Sequence, residues 1–563
     1  MGAPTSGMYI PVVDPAEASP VNQNKRTLLS SLGSAVTFTQ SGTGAVSRSL
    51  NSKLQDVISV KDFGAKGDTV TNDSPAIQAA INAAQASGIG GTVYFPPGTY
   101  RLEQTITVTG NNIFLVGSGM WNTILYRGNV FTGTDIVSFS GNTATGSTIQ
   151  NVGIKHLSIR NTVRMDSGAN LSMVGVARFD VESIFTDDGF INMRFAACSA
   201  GAIRNTYSLG LNLYGGSGTN RAFVEFGNNT NFTPSYCGDV FVSDFNWRGN
   251  LISPDGSSYQ DGLRVVCCDG VWFSNGHIGN SSLANIHIKS ENTAPLALLF
   301  FSNVMSDEGT AHGCLIEGST SPNFFSIKFT GCEFKSGGIP AICPYGIAVA
   351  SGCTVDELQF SNCLIQEYGN NGVTLLSQNS GVTTFDGCVV KGNGRSVSAP
   401  GYFIADYVSN VYIVGGTSGR AWNNAGVGTQ TYGIQIGNFC NYITVNGVDL
   451  TGNVSGTIIA DGSSSVVEVN NCILGNPPTV TSASTIIPPT GYRYFFVDGT
   501  TAIGNIQITQ LGRVITMIFK SNITVNDAIG NIKLNGTFNA TPDDSLTLLY
   551  DGSFYIELSR STN

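Results

Sequence analysis

Between residues 240 and 475 the chain repeats a short signature: an apolar residue, a small polar one, Asn or Gly, then often Cys. It is carried by Phe273-Ser274-Asn275, Phe301-Ser302-Asn303, Phe329-Thr330-Gly331-Cys332, Phe360-Ser361-Asn362-Cys363 and Phe385-Asp386-Gly387-Cys388. Ile413-Val414-Gly415, Val445-Asn446-Gly447-Val448 and Val469-Asn470-Asn471-Cys472 continue it. Counted from Val242, the lead residues step by 31, 28, 28, 31, 25, 28, 32 and 24. A period of that size fits one coil of a three-sided parallel β-helix. Each coil carries a further short apolar run upstream (GLRVV, NIHIK, GCLIE, GIAVA, GVTLL, GYFIA, GIQIG). Period-2 alternation sends one side chain of a strand inward and the next outward. Cys332, Cys363, Cys388 and Cys472 share a register and are expected to stack as an inward, apolar ladder.

The patterning changes at both ends. Residues 1–40 are polar, contain Pro and lack a clear period, which suggests an arm. In residues 41–103, Val57–Val60 reads as a strand. Ser74 reads as a helix N-cap with Pro75 at the first helical position. Ile77, Ala80, Ile81 and Ala84 follow at helical spacing, Gly88 stops the helix, and Thr92–Phe95 is a strand before the Pro96-Pro97-Gly98 turn. The solenoid register spans residues 104–478. Residues 479–563 switch to alternating strands with tight turns (YRYFFVD, VITMIFK, SLTLLYD, FYIELSR), which reads as a small antiparallel sandwich.

The run SVKDFGAKGD…TNDSPAIQAAINAA…GGTVYFPPGTY resembles the opening of pectate-lyase-like right-handed β-helices. With QSGTGAVSRSLNSKLQD before it, it is similar to bacteriophage tailspike proteins that depolymerise capsular polysaccharide. The likeness is tight over about residues 39–120 and contains no catalytic residue. It implies an all-β right-handed parallel β-helix whose entrance is plugged by the helix. SLTLLYDGSFYIELSRS resembles the C-terminal module of several tailspikes, which implies a homotrimer; a plain end cap is the alternative. The resemblance further implies location in the virion tail, after assembly in the host cytoplasm, and action on capsule or O-antigen at the bacterial surface. The short arm suggests docking onto the phage tail or another tailspike protein.

Composition narrows the field. Gly supplies 69 of 563 residues, charged residues only 12% and hydrophobic residues 41%, which excludes disorder and disfavours a helical fold. The net charge of −10 argues against nucleic acid as a partner, and no apolar stretch approaches membrane-spanning length. The N-terminus lacks the pattern of an export signal. The twelve Cys contain no CxxC, so they read as reduced, buried thiols. Nucleotide-binding, serine-hydrolase, zinc-protease and calcium-loop signatures are missing from the sequence, and neither a metal nor a cofactor is expected.

Aligning the coils brings candidate chemistry together. Arg264 falls beside His287 and Lys289 beside Glu317, while Asp261 and His312 each precede a strand Gly. After the Phe signature, one turn position collects Arg248, Asn280, Asp307/Glu308, Lys335, Glu367 and Lys391. Glycoside hydrolysis needs two carboxylates, about 5–5.5 Å apart when retaining and about 6.5–9.5 Å when inverting. Asp261, Asp307 and Glu308 are the expected acid and base. Arg264, His287 and His312 would hold a sugar carboxylate or hydroxyls, with Tyr259, Tyr236 and Glu367 completing the substrate contacts. Glu308 and Glu367, two coils apart, would lie roughly 9.6 Å from one another. Lys289–Glu317 reads as a charge ladder. Glu182, Asp187 and Asp188 form a second candidate group, followed by a stretch at about 204–236 that breaks the period. Elimination on a uronate polymer, with Arg264 and His287 serving, is an open alternative. So is a fibre that binds polysaccharide without cutting it.

Overall fold

A computed structural model describes residues 9–13, 24–28, 36–88, 90–161, 163, 165–210, 221–249, 260–290, 296–309, 311–318, 324–336, 343–377, 381–419, 430–460, 467–508 and 511–563. Tyr259 and most of the 1–40 arm lie outside these residues; within the arm, Tyr9–Val13 and Asn24–Leu28 pair antiparallel.

One sheet of 33 strands, joined by parallel pairing, runs from Ile58 to Asn470. It is a right-handed parallel β-helix. Each coil has a short strand, such as Asp261–Val265 or Ala284–Ser290, and a long one, such as Cys268–Gly279 or Leu296–Asp307, which further along splits in two. The repeated sequence signature marks where the long strand bends between two faces. His156, Ser183, Asn205, Asp244, Asn275, Asn303, Gly331, Asn362, Gly387, Gly415, Gly447 and Asn471 occupy one register, and all have φ between 51° and 69°. Gly and Asn enter that left-handed region at the lowest cost, which explains their recurrence.

The residue two before each bend points inward. Phe273, Phe301, Phe329, Phe360 and Phe385 stack with centroids 4.5–4.9 Å apart, the spacing that adjacent strands impose. Cys332, Cys363 and Cys388 stack directly beyond the bend and are buried. Gly416 and Val448 occupy the next two rungs before half-buried Cys472. Burial pushes the Cys343 and Cys353 thiols up to about 12, which keeps them inert.

The helix Ser74–Ala86 buries Ile77, Ala80, Ile81 and Ala84 against the first coils. Its N-cap is Asp73, not Ser74. The Asp73 carboxylate instead accepts from the Lys66 and Gly67 amides at 2.7 and 3.1 Å, and Ser74 Oγ accepts from the Glu103 amide at 2.8 Å. Both side chains are thus committed to bracing the entrance loops.

The C-terminal segment forms a six-stranded sheet and two strand pairs around its own core, including Phe495, Ile515, Phe519, Leu546 and Tyr555. This sheet is mixed. Tyr494–Asp498 runs parallel to both Thr479–Thr481 and Val514–Phe519, because the intervening chain crosses over instead of turning tightly; only Val514–Phe519, Ser545–Tyr550 and Tyr555–Ser561 form the antiparallel meander. Among the described residues no helix is long and apolar enough to cross a membrane.

Candidate active site

Ionisable side chains gather in two neighbouring clusters on the outside of the solenoid. The first lies on the short strands. Arg194, Glu225, Arg264 and His287 occupy one outward row on four successive coils. Glu225 accepts from Arg194 Nε at 3.1 Å and from Arg264 Nε at 2.9 Å. Asp261 begins the same strand as Arg264; its buried carboxylate lies 2.9 Å from His287 Nδ1 and 3.7 Å from Arg264 Nη1. The other ring nitrogen of His287 reaches Glu317 Oε1 at 3.2 Å, and Lys289 Nζ approaches the same oxygen at 3.8 Å.

Two histidines in this cluster are displaced in opposite directions. Burial works against charge on His287, but the hydrogen bonds and negative charges of Asp261 and Glu317 overcome it and hold the ring up at about 9. Burial, with the His287 charge next, drops His312 to about 4. His312 sits in the Asp261 row two coils along, stacked on Tyr345 with centroids 5.2 Å apart. Its Nδ1 is buried and has no hydrogen-bond partner. The Glu317 carboxyl is held below the usual range, chiefly by His287.

The second cluster lies at the corner where the long strand ends. Asp307 stands in the outward row Arg248–Gly279–Asp307–Lys335. A Cβ at Gly279 would come within 2.7 Å of Asp307 Oδ1, so only Gly leaves room for the carboxylate to lean back over the preceding coil. There it meets His277 Nε2 at 2.5 Å. Glu308 is the corner residue itself, with φ of 56°, and accepts from Arg248 Nη2 at 2.9 Å. Asp188, Asn280, Glu367 and Gly392 have left-handed φ at equivalent corners. Glu367 lies 3.7 Å from Arg395, which follows it in the chain, whereas Glu308 pairs with Arg248, which precedes it. The two glutamates are therefore held by cations on opposite sides along the axis.

The structure thus joins Asp261, Arg264, His287 and Glu317 in one cluster with His312 alongside, and places Asp307 and Glu308 in the other. Tyr236 precedes the strand Cys237–Gly249, at the opposite end from Arg248. Glu182 is paired with Lys155 and Arg204 at 3.1 and 3.2 Å, beside Asp180 in a charge ladder. Asp187 is buried on Arg160 at 2.7 Å, and burial pushes its carboxyl up. Sequence reasoning passed over Arg194, Glu225 and His277. The alternation in Ala222–Gly227 (AFVEFG) was the available signal for Glu225.

Residues 57–249 match the family model described as rhamnogalacturonase A/epimerase, pectate lyase-like. Over these residues the chain is similar to pectate-lyase-like β-helices. Tailspike protein 3 of bacteriophage CBA120 shares this fold, with a TM-score of 0.53 and 15% identity over 80% of this chain and 68% of that one. The tail spike protein of an Escherichia phage is 38% identical over 108 residues, 18% of this chain and 13% of that protein. Mannuronan C5-epimerase AlgE6 of Azotobacter vinelandii is 50% identical over 72 residues, 12% of this chain and 8% of that protein. The likeness to these two curated relatives therefore spans only a small part of their length.

Proposed function

We propose that the protein is a phage tailspike that binds and cuts a bacterial surface polysaccharide, acting from the virion tail. The fold, the tail spike likeness and the epimerase likeness all support a polysaccharide-active molecule. One observation carries the cleavage chemistry: Asp307 and Glu308 stand side by side on an outward corner, each partly exposed, Asp307 against the His277 ring and Glu308 against the Arg248 guanidinium. Hydrolysis uses such a carboxylate pair, one to protonate the leaving oxygen and one to activate water or attack. Asp261, buried between His287 and Arg264, orients these two and does not itself meet substrate in this reading. Assembly as a homotrimer and docking through the 1–40 arm complete the proposal.

A second reading, elimination on a uronate polymer, is favoured by the opposed histidines. A neutral His312 with an unpartnered nitrogen can take a proton, while cationic His287 and Arg264 set the field for a carboxylate. Incubation with purified capsular polysaccharides separates the readings. Hydrolysis produces new reducing ends without unsaturated-uronate absorbance, and Asp307→Asn and Glu308→Gln each abolish it. Elimination produces that absorbance and depends on His312. If both carboxylate variants cut as well as the parent, the hydrolase reading fails.

A further inference from the structure

The outward row immediately N-terminal to the corner cluster has a character that cleavage alone does not require. In register from coil to coil it reads Ser158, Phe185, Tyr207, Asn246, His277 and Met305. At its N-terminal end the turn before Thr123 folds over Ser158, whose hydroxyl donates to the Met120 carbonyl. This places Trp121 on Phe185, with ring centroids 4.7 Å apart. Arg160 sits 5.5 Å from the same Phe185 ring and is fixed by its ion pair to Asp187 at 2.7 Å. Phe185 is consequently buried as a prop, while Trp121 stays 64% exposed and Tyr207, one coil further, 38% exposed. An indole held in place from beneath yet open to solvent on its other side contributes nothing further to the core.

Polar atoms in this row and in the adjoining Asp307 row point to a ligand. Asn246 Oδ1 and, two residues on, Arg248 Nε are buried without a hydrogen-bond partner. A buried polar atom left unpaired is costly, and such atoms are normally satisfied by protein, water or ligand. From Tyr207 to His277 is two coils, roughly 10 Å. Along the axis come the propped aromatic, the exposed tyrosine, then on one coil the unpaired amide beside the unpaired guanidinium nitrogen, and finally the Asp307–His277 pair. Rings with an open face and hydrogen-bonding groups between them suit a chain of pyranose rings whose apolar faces and hydroxyls alternate.

We infer that Trp121, Tyr207, Asn246 and Arg248 form a binding track that holds several sugars of the polysaccharide on the N-terminal side of the Asp307–Glu308 corner. This deepens the proposed function and rests on it. The occupant is the uncut polymer, so the track confers affinity for long chains over short ones.

The test uses the full-length chain and a panel of purified bacterial capsular polysaccharides and O-antigens, with binding measured by calorimetry and cutting by reducing-end release. Trp121→Ala and Tyr207→Ala each lower the affinity for the polymer that the parent binds by about tenfold. Trp121→Phe, which keeps a ring, retains most of it. Thermal midpoints within about 2 °C of the parent show that the alanine variants are folded. If both alanine variants bind the polymer as tightly as the parent does, the track is overturned and the cleavage reading stands. If the polymer is bound through Trp121 and Tyr207 but never cut, the track stands and the cleavage reading falls. If the parent binds none of the panel, both are overturned.

Discussion

His287 and His312 stand on adjacent coils and titrate on opposite sides of neutrality, which has consequences for stability and for rate. His287 is raised from 6.5 to about 9 when folded. Its contribution is complete below about 6.5 and is lost as the pH rises through about 9, on the order of 3 kcal/mol. His312, lowered to about 4, runs the other way: stability falls as the pH drops from 6.5 toward 4, because the unfolded chain takes up a proton that the folded chain refuses. Thermal unfolding midpoints should therefore peak near pH 6.5 and decline on both sides. Asp261→Asn should flatten the alkaline limb, because it removes the first of the two carboxylates that hold the His287 charge. If elimination is the chemistry, kcat/KM should be level between about 4 and about 9 and fall outside that window. Gly279 supplies a second test at this scale. In Gly279→Ala the new methyl would lie 2.7 Å from Asp307 Oδ1 and 2.8 Å from the Asp307 carbonyl oxygen, so the carboxylate and its backbone must both shift and cutting should fall by about tenfold or more. Undiminished reducing-end release from that variant would remove Asp307 from the chemistry.

At the scale of the element, the bend register makes a prediction about backbone cost. Asn362 has φ of 53° at the bend following Phe360. Asn362→Gly should unfold within about 1 kcal/mol of the parent, whereas Asn362→Val should lose about 1–2 kcal/mol or more, measured as the shift in thermal midpoint. Equal midpoints for the two would mean that the recurrent Asn and Gly serve something other than the bend. The same register explains what was legible in the chain. The signature Phe-small-Asn/Gly combines an inward ring with the left-handed bend two residues on, so its period reports the coil directly. Once the coils align, Arg264 beside His287 and Lys289 beside Glu317 follow from counting. Glu225 stayed hidden because the segment before Ala222 breaks the period, and its strand could not be aligned by counting. The Asp307–His277 pair stayed hidden because it is not a same-rung neighbour: the carboxylate leans across Gly279 to a residue two places earlier on the preceding coil. Ser74 falls one residue inside the helix instead of capping it, because its hydroxyl is drawn to the Glu103 amide, while the Asp73 carboxylate at the N-cap position is taken up by Lys66 and Gly67.

At the scale of the molecule, a solenoid transmits stability only between neighbouring coils, so its two ends are its weak points. The entrance is closed by the apolar face of Ser74–Ala86. At the other end the last strand, Val467–Asn470, pairs with Asn441–Asn446. Ala460, Val467, Val469 and Leu474 of the closing coil are only partly buried. The C-terminal segment reaches back over this edge: Tyr492 Oη donates to the Leu474 carbonyl at 2.6 Å, and a cleft of about 680 Å³ between them is lined by Val469, Ile487, Tyr492 and Arg513. Because residues 479–563 have their own core, their removal should leave the solenoid's interior packed and its last rung bare. An uncovered strand edge with apolar flanks is a template for pairing with other chains. A chain ending at residue 478 should therefore form large species on size exclusion with light scattering while keeping the far-ultraviolet spectrum of the parent solenoid. A truncated chain that stays dispersed, with the parent's thermal midpoint, would show that the last coil needs no cover.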